Sequence, residues 1–177
     1  MKAFGLNYVR MASTAILFWF IYLFTRSTHK IDKKDWGRFI LCALLGIVIN
    51  QLLFIKGLSL TFSIHASLLM LTTPMIIVVL SVFFYRERIT LLRAMGLLMG
   101  AFGASLLIMN RSKAGSGMDV LLGDIYVVIN AVCYSFYFVL VKPLMKNYHP
   151  VTVMRILFTL GALFALPVCW TEFSEIP

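Results

Sequence analysis

Residues 63–110 read SIHASLLMLTTPMIIVVLSVFFY, then RERITLLR, then AMGLLMGAFGASLLIMN. Ser63–Tyr85 holds no Asp, Glu, Lys or Arg, over a length that can cross a hydrocarbon core of about 30 Å. Ala94–Asn110 is equally free of charge, and Thr90 and Leu91 extend it to spanning length. Between the two lies a knot of charge, Arg86, Glu87, Arg88 and Arg93. Two apolar spans joined by a basic turn make a membrane hairpin with that turn on the cytoplasmic side.

The rest of the chain agrees. Its 177 residues are 61% hydrophobic and 13% charged, with a mean hydropathy of +0.93. A soluble domain carries about 45–50% apolar and about 25% charged residues. The fold class expected is therefore all-α, a polytopic helix bundle in a lipid bilayer. The net charge of +9 sits in short loops, where membrane topology accounts for it, so no nucleic-acid partner is expected. Cys42, Cys133 and Cys169 stand far apart in apolar stretches with no CxxC or Cys/His spacing. They support neither a metal site nor a disulfide framework, and no cofactor is implied.

In chain order, Phe4–Phe24 is the first span. It is read as a retained helix, because Thr25-Arg26-Ser27-Thr28 is no small-residue cleavage site. A basic loop, Arg26–Arg38, follows, with Trp36 at headgroup level. The second span is about Phe39–Leu60, the third and fourth are the hairpin, and Arg111–Asp119 is a Gly/Ser-containing loop. The fifth is about Leu121–Leu144 and the sixth about Val151–Trp170.

Arg26, Lys30, Lys33, Lys34, Arg38, Arg86, Arg88, Arg93, Lys142 and Lys146 fall on one side. Lys2, Arg10, Arg111 and Lys113 fall on the other. Ten against four places the first set in the cytoplasm and both termini outside. At an offset of 145, Asn7–Met11 aligns with Thr152–Ile156, matching Arg10 to Arg155, and Thr14 matches Thr159. On the charge count the two helices cross in opposite directions, the signature of an inverted repeat.

The Pro within Thr72-Thr73-Pro74, the run Arg-Glu-Arg-Ile-Thr at 86–90 and the glycines at 96, 100 and 103 together resemble the EamA-type drug/metabolite transporter superfamily. The resemblance implies an inverted-repeat fold of two five-helix units. Phe4–Asn110 looks like helices two to five. Gly123-Asp124, His149-Pro150 and Arg155 look like the opening of helices six and seven. Residues 1–112 would then be a first repeat lacking its first helix, 113–122 the inter-repeat loop, and 123–177 the start of the second repeat. No proline precedes Arg10, although Pro150 keeps that place before Arg155. The chain is expected to be a fragment of a longer product, or else a half-sized relative working as a homodimer. The implied function is permease activity in the inner membrane, exporting a small metabolite by alternating access. The alternative is a non-transporting fragment or assembly subunit. An enzyme is not expected, since no nucleophile–base pair is apparent.

Site candidates follow from polarity inside the spans. Gly46, Asn50 and Gly57 share a face on an ideal helix, and Asn50 and Gln51 are expected to point into the bundle. There they would serve either interhelical hydrogen bonding or a substrate cavity. Pro74 is expected to free the carbonyl of Met70, with Thr72 and Thr73 competing for the freed backbone. That is either an ordinary kink or part of a midplane binding site. Asn130 and Tyr134 are cavity candidates on the fifth span. Lys56 and Arg155 are charged groups within spans that either snorkel outward or meet an anionic substrate or another part of the protein. His65 is expected to be solvated or hydrogen-bonded. Gly96, Gly100 and Gly103 form a small-residue stripe suited to close helix packing. No carboxylate is expected deep in any span.

Overall fold

The computed structural model describes residues 3–25, 31–86, 90–109 and 118–173, and every regular element among them is helical. Five stretches are long and apolar enough to cross a bilayer: Gly5–Phe24, Lys33–Leu60, Ser63–Tyr85, Met118–Asn147 and Pro150–Pro167. They coincide with the first, second, third, fifth and sixth expected spans. The fourth is occupied by a helix of 19 residues, Leu91–Met109. The protein is an all-α, multi-pass membrane protein. The expected inter-repeat loop lies, up to residue 117, outside the described residues, as do Arg26, Lys30, Glu87 and Arg88.

The chain divides into two compact units, Met1–Leu52 with Leu140–Pro177, and Leu53–Val139. In the first, α1 (Ala3–Thr25) packs along α8 (Pro150–Phe173). Phe18 stacks on Phe158 at 5.6 Å, Trp19 hydrogen-bonds Thr159, and Tyr22 lies over Arg155. Numbers falling along α1 as they rise along α8 mean that the two helices run antiparallel. On another side of α8, a Cβ added to Gly161 would meet Ile47 Cγ2 at 2.7 Å, so only glycine lets the second span approach there.

That second span is not uniform. A short 3-10 turn at Lys33–Asp35 leads into α2 (Trp36–Ala43), then a π-helical segment at Leu44–Ile49, then α3 (Asn50–Leu60). A π segment widens the hydrogen-bond step from i+4 to i+5. The face expected through Gly46, Asn50 and Gly57 assumed one constant pitch, and the π segment interrupts it. At the start of this span, Tyr148 accepts the Asp32 N–H at 3.1 Å and donates its hydroxyl to Asp35 Oδ2 at 2.8 Å. The fully buried Phe39 ring lies 5.9 Å from that of Tyr148.

In the second unit the third span is broken. α4 (Ser63–Met70) ends with Leu71 N–H on Leu68 O and Thr72 N–H on Leu69 O, and α5 (Thr73–Tyr85) begins afresh. Pro74 sits in the first turn of α5, where a missing N–H costs no helical bond. The Thr72 hydroxyl bonds Leu69 O at 2.6 Å, not the Met70 oxygen expected from sequence. The reason is that the two preceding i+3 bonds end α4 before proline is reached. α5 stops at Arg86, whose φ of 50° is left-handed, a helix-ending conformation usually left to glycine. α6 (Leu91–Met109) and the 30-residue α7 (Met118–Asn147) complete the set. α7 runs through Pro143, and the Val139 carbonyl one turn before it receives the Tyr85 hydroxyl at 2.8 Å.

Candidate functional site

Polar groups in lipid must be satisfied within the protein or face a cavity, so the site is sought where buried polarity collects. One such place is the break in the third span. Thr73 is buried, its carbonyl accepts from Ser135 Oγ at 3.3 Å, and its own hydroxyl has no hydrogen-bond partner. Ser135 is fully buried on α7, and its one hydroxyl proton is shared with the nearer Ala131 O at 2.7 Å. Asn130, on the same helix, is fully buried too. Tyr134 belongs to an aromatic ladder, stacked on Tyr137 at 5.8 Å and edge-on to Phe138 at 4.9 Å.

A second cluster forms where α3 crosses α7. A Cβ on Gly123 would fall 2.7 Å from Thr61 N and 2.9 Å from Gly57 O, while one on Gly57 would fall 3.0 Å from Gly123 O. Two glycines therefore bring the backbones of the helices into contact. The contact seats the Thr61 hydroxyl against Asp124 Oδ1 at 2.5 Å, with His65 Nδ1 at 3.8 Å from the same oxygen and 3.5 Å from Thr61 Oγ1. Because the one threonine proton goes to the carboxylate, the imidazole nitrogen facing this pair is the N–H donor. The His65 ring is buried and rests edge-on against Phe62. Asp124 stands near the start of the expected fifth span, where no deep carboxylate was expected, and its side chain is 14% exposed. Thr61 was missed. The adjoining Gly123-Asp124 pair was the available signal, since a carboxylate entering a membrane helix beside a glycine requires a donor nearby.

The remaining candidates separate. Asn50 and Gln51 are half-buried and belong to the first unit, Thr72, Thr73, Pro74, Asn130 and Tyr134 to the second. Lys56 is exposed. Of the glycine stripe, Gly96 and Gly103 have open space where a Cβ would go, and Gly100 is approached by the flexible end of Met75 at 2.9 Å.

Arg155 is not exposed like Lys56. Its guanidinium carbon lies 3.6 Å from the centre of the Tyr22 ring and 4.5 Å from that of Trp19. Trp19 donates its indole N–H to Thr159 Oγ1 at 3.1 Å, and Thr159 donates its hydroxyl to the Arg155 carbonyl at 2.7 Å. Trp19 and Tyr22 went unnoticed in sequence because their partner lies more than a hundred positions away.

The model of the EamA-like transporter family matches residues 1–109. The chain belongs to the EamA-like transporter family. Among proteins of Bacillus subtilis (strain 168), it is 23% identical over 161 residues to one named "Uncharacterized transporter YyaM", covering 90% of this chain and 53% of that protein. It is 22% identical over 168 residues to "Uncharacterized transporter YetK", covering 93% and 50%. The chain thus spans about half the length of the curated relatives it matches. No solved structure matches it.

Proposed function

We propose that this chain forms part of an EamA-type permease of the inner membrane that exports a small metabolite by alternating access, with its ten-residue basic set in the cytoplasm. The observation that carries the reading is the break at Leu71–Thr72, which leaves a buried Thr73 hydroxyl unpartnered inside an apolar span. Interrupted helices near the midplane are where secondary transporters place substrate. Asn50, Gln51, Thr72, Thr73, Pro74, Asn130 and Tyr134 are the proposed cavity residues. Residues 1–112 and 123–177 are the proposed inverted repeats. In support, α1 and α8 run antiparallel, and Thr14 and Thr159 bond the carbonyls of Arg10 and Arg155 at 2.8 and 2.7 Å. The open faces of Gly96 and Gly103 are offered to a further helix, from the rest of a ten-helix protein or from a second copy in a homodimer.

The test is metabolite profiling of medium from cells producing the wild type, Thr73→Val or Pro74→Ala. At least one solute should accumulate outside with the wild type and fall with either variant at equal membrane abundance. Parallel loss of protein and export would make the break a folding feature. No change in any solute with the wild type would favour the non-transporting reading.

A further inference from the structure

The Arg155 guanidinium carbon lies over two aromatic rings, 3.6 Å from the centre of Tyr22 and 4.5 Å from that of Trp19. Aromatic rings attract a cation through their faces, but the five N–H donors of arginine lie in the guanidinium plane and need acceptors there. Arg155 Nε is buried with no hydrogen-bond partner, and among the described residues no carboxylate lies within ion-pair distance of Arg155. A charge within a membrane span ordinarily pairs with another group. The geometry is also fixed in advance. The Trp19 indole is tied through Thr159 to the carbonyl of Arg155 itself, and Tyr22 meets Trp19 edge-on at 6.4 Å and 77°.

We infer that Arg155, Trp19 and Tyr22 form a receptor for a small organic carboxylate, held by the N–H edge of the guanidinium with its organic body along the two rings. The inference rests on the permease reading and names its substrate class. One guanidinium balances one negative charge, and its planar fork matches a carboxylate in a two-bond geometry that a lysine cannot reproduce. Because the rings and the helix turn are already locked together, little ordering accompanies binding. The opposite arginine of the proposed repeat has no such setting: Arg10 is exposed. The site is therefore one-sided.

Radiolabelled benzoate is the probe, measured by equilibrium binding to the 177-residue chain in phosphatidylcholine nanodiscs, with benzamide as the neutral competitor. Saturable benzoate binding that benzamide does not displace is expected. Arg155→Gln should weaken it at least tenfold and Arg155→Lys should restore only part. The wild-type arm stands even if the variants do not fold: no saturable benzoate binding, or equal displacement by benzamide, overturns the inference and makes the cluster a strut between α1 and α8. Loss of binding when phosphatidylglycerol is added to the nanodiscs would assign the site to a lipid headgroup and overturn it too. Flux assays keep the two readings apart. Export of neutral solutes without benzoate binding would sink the carboxylate site and leave the permease. Benzoate binding with no flux of any solute from a ten-helix version would sink the permease and leave the site.

Discussion

The hydroxyl of Tyr85 donates to the carbonyl of Val139 at 2.8 Å, the oxygen that Pro143, lacking an N–H, leaves without its helical partner. α7 therefore continues past a proline because a residue at the end of α5 replaces the missing bond. In lipid such a replacement contributes about 0.6–2 kcal/mol. Tyr85→Phe should lower stability by that amount in a reversible unfolding assay in mixed micelles. Pro143→Ala restores the N–H, so adding it to Tyr85→Phe should recover most of the loss. Additive effects of the two changes would show that the bond and the proline are unrelated.

Gly123 and Gly96 should respond in opposite ways to alanine. At Gly123 the new methyl meets backbone atoms at 2.7 and 2.9 Å, which cannot swing aside, so a loss of about 1–3 kcal/mol is expected. At Gly96 it meets nothing, and helix propensity alone should give a gain of about 0.5–1 kcal/mol. Melting of the two variants side by side checks this, and equal sensitivity would show that the glycine stripe of α6 is itself buried.

How far could these relations be read from sequence? The helices were legible, because a run without charge long enough to cross a bilayer has few alternatives. The distortion was legible as a kink at Pro74, but neither its place at Leu71–Thr72 nor which carbonyl Thr72 would take could be read, since both depended on where α4 ended. Gly96, Gly100 and Gly103 drew attention by their spacing, while the close crossing uses Gly57 and Gly123, one from each of two helices. Pairing across helices is long-range, and so Asp124 with Thr61, and Arg155 with Trp19 and Tyr22, were invisible. Pro143 was overlooked because Lys142 and Lys146 looked like the end of the span.

Tyr148 should make stability depend on alkaline pH. The Asp32 N–H on its oxygen lowers its pKa, but the hydrogen bond to Asp35, burial and the charges of Asp35 and Asp32 outweigh that and hold it above its ordinary value. The neutral phenol is thus favoured by folding. Its contribution is fully present below the ordinary tyrosine pKa of about 10 and is lost as pH rises through the folded value. Melting temperatures across that range should fall for the wild type and fall less for Tyr148→Phe. Identical curves would mean that the clamp does not report on titration.

Orientation can be checked without purification. Reporter fusions after Lys33, Arg88 and Lys146 should read cytoplasmic, and fusions after Ser116 and Glu175 external, because ten basic residues oppose four. An inversion at any one of the five would break the six-span order.

The wide turn at Leu44–Ile49 has a consequence for how this helix is compared with others. One residue more than an α-helix needs advances everything after it by about 100° of rotation. Asn50, Gln51 and Lys56 owe their bearings to that angular offset. A relative whose second span is α-helical throughout, aligned to this one without a gap, would have its residues beyond Ile49 assigned to the wrong side of the helix. Deleting a single residue from 44–49 would let the span run as one α-helix while the side chains beyond it kept the bearings they have now.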